Sequence, residues 1–194
     1  MLLAIEGITN SGKTTLCNHI IDSHCCTFDT YDKSNIVQNH IKQITHDESN
    51  EGLFTDKTEL LLYTSLLAEK ARQIELSSNS FLIDRFSLSV FSYFYSKFDF
   101  DSAFLHDLIS FASNGIVPDL TIFVDTPLNI ILSRAKQCPM SRKDLGLSSY
   151  YYRLREAYIS NLSYYSKEYL IVDGTTKEYD LAETVIDAIR NRLK

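Results

Sequence analysis

Short apolar runs along the chain alternate with longer stretches in which apolar residues recur at three- and four-residue steps. Residues 2–6 (LLAIE) form the first run, and a helical pattern follows from Lys13 to about Asp22. A second apolar run, Cys25–Phe28, precedes a polar turn and a weakly amphipathic stretch, Asn35–Ile44. Asp47–Gly52 reads as a loop, and Thr58–Leu76 (TELLLYTSLLAEKARQIEL) as a long, mostly buried helix. After a turn at Ser77–Ser80, Phe81–Asp84 (FLID) is the next strand. Ser87–Phe98 and Asp101–Asn114 are two further helices, the second closed by Gly115 as the C′ residue. Leu120–Asp125 (LTIFVD) is the clearest strand, and Pro127 opens a helix where its missing N–H does no harm. Cys138–Ser148 is a polar, basic loop, followed by a helix at Ser149–Glu168, a strand at Tyr169–Val172 and a closing helix at Asp180–Leu193. Five apolar strands separated by helices predict an α/β domain with a parallel sheet covered on both faces. No repeat or composition shift divides residues 1–194.

Composition agrees with one globular domain. Hydrophobic residues make up 44% and charged residues 23%, with six Gly and three Pro. That excludes a disordered or low-complexity chain, which lacks the apolar content to offset chain entropy. The net charge of −6, with no basic run, argues against binding a nucleic-acid backbone. The opening MLLAIEG meets Glu6 too early for a signal-peptide core, and charge interrupts every apolar stretch before the ~18 residues of a membrane span. Cys17, Cys25, Cys26 and Cys138 match no zinc or disulfide spacing, so four reduced thiols in a cytoplasmic protein are expected.

Gly7-Ile8-Thr9-Asn10-Ser11-Gly12-Lys13-Thr14 fits G-x-x-x-x-G-K-[ST]. Its four fixed positions would match by chance in roughly one chain in a hundred of this size. Here the match also follows a strand and opens a helix, which the chemistry requires. Gly7 and Gly12 allow a turn whose backbone N–H groups point inward around a phosphate, and the helix beginning at Lys13 adds its dipole. Lys13 supplies a point charge to the β- and γ-phosphates, and the Thr14 hydroxyl ligates Mg²⁺. Asn10, Ser11 and Thr15 complete the loop. The expected ligands are therefore ATP and Mg²⁺. No guanine-reading N-K-x-D occurs, and the chain is short for a motor ATPase, so a small-molecule kinase is indicated, on the three-layer P-loop kinase fold.

Asp84-Arg85-Phe86 ends the third strand and places two charges at the carboxyl edge of the sheet, where ligands bind in open α/β folds. A surface ion pair is the alternative reading of those two residues alone. The segments AIEGITNSGKTT, DRFSLSVFSY, PDLTIFVDTP, YYYRLREAYISN and IVDGTTKEYDLAETV together resemble, in order and across the whole chain, the motifs of the thymidylate kinase family. The resemblance implies that Arg85 binds the acceptor monophosphate and that Asp84 helps to organise Mg²⁺ and the phosphates. It implies that Lys33 stands for the family's phosphate-binding Arg after strand two, although a solvated loop lysine is the other reading. It makes residues 138–148 a mobile lid from which Arg142 or Lys143 reaches the transferred phosphoryl group. It also implies a homodimer, with apolar faces of Thr58–Leu76 and Ser87–Phe98 as the candidate surface.

Two departures fall on the acceptor side. The family's P-loop Asp is Thr9, and the base-reading Arg four residues after Tyr63 is Leu67. Lys70 or Arg72, a turn further on, are candidate substitutes. Tyr63 either stacks on a base or packs in the core, and Ser89 keeps its place in the family pattern beside Arg85. Thr9, Lys33, Tyr63, Lys70, Arg85 and Ser89 are thus the expected acceptor contacts. The leading expectation is ATP-dependent phosphorylation of a (deoxy)nucleoside monophosphate, dTMP first, with no nucleic-acid or membrane partner. The alternative is a nucleoside or other alcohol kinase, which needs a carboxylate base after strand two, for which Asp29 and Asp32 are placed. A catalytically weak nucleotide-binding module is the third class.

Overall fold

The computed structural model describes residues 1–32, 34–47, 53–137 and 146–192. Five strands, β1 (Leu2–Glu6), β2 (Phe28–Thr30), β3 (Ser80–Asp84), β4 (Leu120–Asp125) and β5 (Glu168–Asp173), form one sheet in the order β2-β3-β1-β4-β5. Every pairing is parallel. Alternation along the strands builds two cores. Leu2, Ala4, Phe81, Ile83 and Phe123 face one side. Leu3, Ile5, Leu82, Ile122 and Val124 face the other, against α1 (Lys13–Asp22) and α8 (Glu178–Arg192). The first side is covered by α2 (Ile36–His46), α3 (Asp56–Leu76), α4 (Ser87–Lys97), α5 (Ser102–Ala112), α6 (Leu128–Ala135) and α7 (Leu147–Asn161). This is the expected three-layer α/β architecture. Because the chain moves from β1 outward to β2 and then crosses from β3 to β4, the loops after β1 and β3 part company and leave a crevice between them.

The differences from the expected elements have local causes. β2 begins at Phe28, not Cys25, because His24 takes a left-handed φ of 49° after the end of α1 and the chain joins β3 only where Phe28 meets Ser80. α2 runs on to His46, and its start is fixed by Asn35, whose side chain accepts from the Gln38 N–H. α5 closes with Asn114 (φ 52°) at C′ and Gly115 (φ 66°) at C″, since Gly115 N–H bonds Ser110 O and Asn114 N–H bonds Phe111 O. The C′ position expected for Gly115 is therefore Asn114's. α7 starts at Leu147 after the left-handed Gly146 and ends at Asn161, so Leu147 and Ser148 are helix rather than loop and the run to 168 is broken by a turn. The other lid positions, 138–145, lie outside the described residues. No helix among the described residues is long and apolar enough to cross a membrane.

Phe123 shows how the sheet and its helices are fastened. It lies in a central strand, has no exposed surface, and stacks on Tyr158 of α7 at a centroid distance of 5.1 Å. Replacing it with Ala leaves a cavity the parallel strands cannot close, at a cost of about 3–5 kcal/mol. Phe123→Ala is expected to lower the Tm by roughly 10 °C, read by calorimetry against Phe123→Leu, which should lose much less.

Candidate functional site: the P-loop and the acceptor cavity

The P-loop follows β1 into α1 with the backbone its glycines were expected to need. Gly7 has a φ of 149°, and a Cβ there would sit 2.7 Å from the Val124 carbonyl oxygen. Gly12 (φ 105°) is the N-cap of α1 and offers no side-chain cap, which leaves the first N–H groups of the helix for an anion. Asn10 is also left-handed, at φ 56°. Lys13 is 5% exposed and donates to the Ile8 carbonyl (2.7 Å) and towards Ser11 Oγ (3.4 Å), so its ammonium lies against the loop itself. Thr14 and Thr15 are exposed on the first turn.

Arg85 meets this loop from β3. Its guanidinium donates to Gly7 O (2.9 Å) and to the Tyr158 hydroxyl (3.3 Å), while its own backbone is left-handed, φ 65°. A non-glycine residue in that region costs of order 1–3 kcal/mol and persists only where its surroundings over-determine it. Four contacts do so. Arg85 N–H donates to Ile5 O (3.0 Å), and Phe86 N–H donates to Glu6 Oε1 (2.8 Å). Lys70 Nζ donates to the carbonyls of Asp84 (3.3 Å) and Arg85 (2.6 Å). Burial depresses the Lys70 ammonium to a pKa of about 8, with Asp84 and Glu6 opposing that shift.

Thr14 Oγ1 donates to Asp84 Oδ2 (2.9 Å), whereas Asp84 Oδ1 is buried with no hydrogen-bond partner among the described residues. Burial raises the Asp84 pKa, but the charges of Lys13 and Arg85 and the Thr14 bond outweigh it, and the group stays below the usual carboxylate range. An ionised carboxylate oxygen without a partner beside a hydroxyl is a hard-oxygen donor pair. It fits Mg²⁺ carried in with phosphates, which uses one or two protein ligands and keeps the rest for phosphate and water.

A cavity of about 640 Å³ opens from this corner. Thr9, Asn10, Thr14, Asp84 and Arg85 line its charged end, and Tyr63, Leu66, Leu67, Tyr93 and Phe94 line an apolar and aromatic part. Tyr63 lines the cavity and also packs edge-on to Phe94 (5.8 Å), so it belongs to the aromatic core and to the cavity wall at once. Lys70 lines the cavity while Arg72 is exposed and does not. Ser89 lines it too, but its hydroxyl is bonded to Glu6 and lies 2.9 Å from Tyr158 Oη. Lys33, Arg142 and Lys143 lie outside the described residues. Neither candidate base lines the cavity. Asp29 accepts from Ser77 Oγ (2.6 Å) and Asn79 Nδ2 (3.2 Å), and Asp32 from the backbone and hydroxyl of Ser34 (2.8 and 2.7 Å).

Two site residues left no sequence signal that was recognised. Arg134, in the last turn of α6, donates to the P-loop carbonyls of Asn10 (3.2 Å) and Ser11 (3.0 Å) and to Gly174 O (2.8 Å). Gly174, after β5, lies so close that a Cβ would fall 1.9 Å from Thr126 Oγ1 and 3.0 Å from Ser11 O. A cation near a helix C-terminus is normally read as a dipole partner, and only the fold brings Arg134 to residues 123 and 124 positions away.

Glu6 underlies the whole corner. It is 1% exposed, and burial lifts its pKa above the ordinary glutamate value despite bonds from Ser89 and Phe86 and the nearby Arg85 and Lys70 charges. A raised folded-state pKa stabilises below the unfolded value and loses that contribution as pH rises through the folded one. Wild-type stability should therefore fall as pH is raised from about 4.5, with a Glu6 contribution no steeper than about 1.4 kcal/mol per pH unit. Glu6→Gln should remove that slope, measured by urea denaturation from pH 4 to 8.

Comparison with known proteins agrees with this geometry. The family model described as thymidylate kinase matches residues 5–186. The thymidylate kinase of Trichlorobacter lovleyi is 26% identical, across all of this chain and 98% of its own length. That of Leuconostoc mesenteroides is 28% identical over 90% of this chain and 88% of its own. A solved thymidylate kinase structure from Candida albicans has the same fold, with a TM-score of 0.74 at 21% identity over 98% of this chain and 91% of that one. The chain belongs to the thymidylate kinase family.

Proposed function

We propose that the protein transfers the terminal phosphoryl group of ATP to a (deoxy)nucleoside monophosphate of the dTMP class, forming the diphosphate. The observation that carries this reading is the shared corner. Arg85, a charged anchor on the cavity wall, is bonded to the first glycine of the P-loop, so two phosphate sites adjoin. The cavity then leads from charge to aromatic and apolar walls, which suits a nucleotide bound by its phosphate with its base inside.

An acceptor phosphate is already ionised at neutral pH, so the reaction needs alignment and charge neutralisation rather than a general base. Lys13 and the uncapped start of α1 hold the donor phosphates, and Arg85 holds the acceptor phosphate. Arg134 clamps the P-loop against Gly174 and keeps the loop's N–H groups aimed inward. Thr14 and Asp84 would hold Mg²⁺, which would supply positive charge against the donor phosphates. Residues 138–148 act as the lid, with Arg142 or Lys143 reaching the transferred group, and closure excludes water and so suppresses ATP hydrolysis. Lys33 adds charge on the acceptor phosphate. The base-catalysed alternative is not favoured, since Asp29 and Asp32 are engaged elsewhere.

The assembly is proposed to be a homodimer. α4 spends most of its apolar face on the monomer's own core, leaving Tyr95 outward, whereas α3 and α5, packed together, leave Leu61 (58% exposed), Phe104 (50%) and Phe111 (82%) outward. Light scattering at micromolar concentration should give twice the 22.2 kDa chain mass, and a monomer would refute the dimer.

For the reaction, Lys13→Ala should reduce turnover at least a hundredfold, as loss of a preorganised charge does, with an unchanged melting profile. Arg85→Ala should raise the KM for dTMP by about 10- to 100-fold, the worth of a charge-assisted contact, with little change in the KM for ATP. Asp29→Asn and Asp32→Asn should retain activity. Loss of activity in either Asp variant, with a mild Arg85→Ala, would instead establish the alcohol-kinase chemistry.

A further inference from the structure

The acceptor cavity has a polar wall that comes from α2. Gln38, Lys42 and His46 follow one another at four-residue steps along the helix and all line the cavity. They are not equivalent. His46 Nε2 approaches the Tyr63 hydroxyl (3.4 Å), which also meets Thr45 Oγ1 (3.2 Å), and Lys42 is exposed on the helix. Gln38 is only 6% exposed. Its backbone N–H is taken by the Asn35 cap, and its side-chain amide makes no hydrogen bond with the described residues. A carboxamide carries two N–H donors and an acceptor oxygen, and at Gln38 they are left to the cavity that the residue lines. One left without a protein partner on a cavity wall points to a ligand.

Two contacts locate it. α2 and the segment before it run antiparallel to α3, because Asp32 N–H donates to Gln73 Oε1 (3.1 Å) at one end and Thr45 meets Tyr63 at the other. Gln38 lies between these anchors, level with the stretch of α3 from Leu67 to Lys70. There α3 offers no spare donor or acceptor to the cavity. Leu66 and Leu67 are buried apolar walls, and Lys70 is bonded to the carbonyls of Asp84 and Arg85. α3 therefore leaves polar contact beyond the acceptor phosphate to other elements, among them Gln38 of α2 and the Tyr31 hydroxyl, which also lines the cavity and has no hydrogen-bond partner among the described residues.

We infer that Gln38 reads the nucleobase of the acceptor, pairing its carboxamide with an adjacent N–H and carbonyl on the base edge. The inference rests on the monophosphate-kinase reading. A carboxamide exchanges its donor and acceptor by turning over, so it accepts an edge of either polarity. It fixes the base in place without choosing one polarity over the other, and size and the Tyr63 ring are left to discriminate.

The test compares dTMP with deoxyribose 5-phosphate, which keeps the sugar and phosphate and lacks the base. Gln38→Met, similar in length and apolar, should lower kcat/KM for dTMP by about 10- to 100-fold, the worth of one or two hydrogen bonds, and leave kcat/KM for deoxyribose 5-phosphate and KM for ATP within twofold. Gln38→Glu should retain a base contact only for edges that donate, moving the dGMP-to-dTMP ratio upward by at least fivefold. Circular dichroism and melting of both variants establish that they fold, and calorimetric titration with dTMP reads the same loss as binding. Equal losses on both acceptors would assign Gln38 to the sugar or phosphate and overturn the inference, as would no loss on either. If the wild-type protein phosphorylates no nucleoside monophosphate, the monophosphate reading and this inference both fall.

Discussion

The site depends on one constrained corner, the left-handed Arg85 at the end of β3. An arginine in that conformation is strained, and the strain is what turns its guanidinium back towards the P-loop instead of letting the chain run on along the strand. The groups that hold the corner come from three separate elements. Ile5 and Glu6 in β1 accept its N–H groups, Lys70 in α3 donates to its carbonyls, and Tyr158 in α7 receives the guanidinium. Parallel pairing of β1 with β3 makes this arrangement possible, since the register sets Ile5 beside Asp84 and so brings Gly7 and Arg85 out at the same edge.

The donor side is held by a second set of contacts with a different logic. Where the acceptor corner uses side chains against a strained backbone, the P-loop is held through its own carbonyls. Arg134 and Thr126 both donate to Ser11 O, and Gly174 comes close enough to exclude any side chain. Carbonyls that are occupied from outside turn the N–H groups of the same peptides to the inside of the loop, where the proposed phosphate site lies. The two halves meet at Gly7, whose flanking peptide accepts from Arg85 and Tyr158 and whose α-carbon packs on Val124 O.

What was legible in the sequence was whatever depends on residue type at a fixed local spacing. Gly7, Gly12, Lys13 and Thr14 each answer a steric or electrostatic demand within eight residues, and the strand and helix periods set the order of layers. Element ends were less legible, because the start of β2 is decided by its partner β3 and the end of α7 by a turn with no strong breaker. Arg134, Gly174 and Gln38 were illegible for one reason. Arg134 and Gly174 act through contacts with residues distant in the chain, and the Gln38 side chain bonds none of the described residues, and neither leaves a mark in local pattern. Lys70 was found as a candidate reader of the base, yet the structure gives its ammonium to the Asp84 and Arg85 carbonyls, an outcome that depends on how α3 lies against β3.

The charge balance of the corner resolves an apparent conflict in the composition. The chain is acidic, net −6, yet its proposed ligands are polyanions. Around the corner, among the described residues, Lys13, Lys70 and Arg85 face the carboxylates Glu6 and Asp84, and burial favours the neutral form of Glu6. The corner is therefore positive by at least one charge while the chain as a whole is negative. In a crevice walled by low-dielectric protein such a field is focused rather than averaged away. The acidic exterior repels an extended phosphate backbone, and the recessed cations attract a small phosphate that fits inside. Selection between nucleotide and nucleic acid is thus set by the depth at which the positive charges are placed, not by the net charge of the chain.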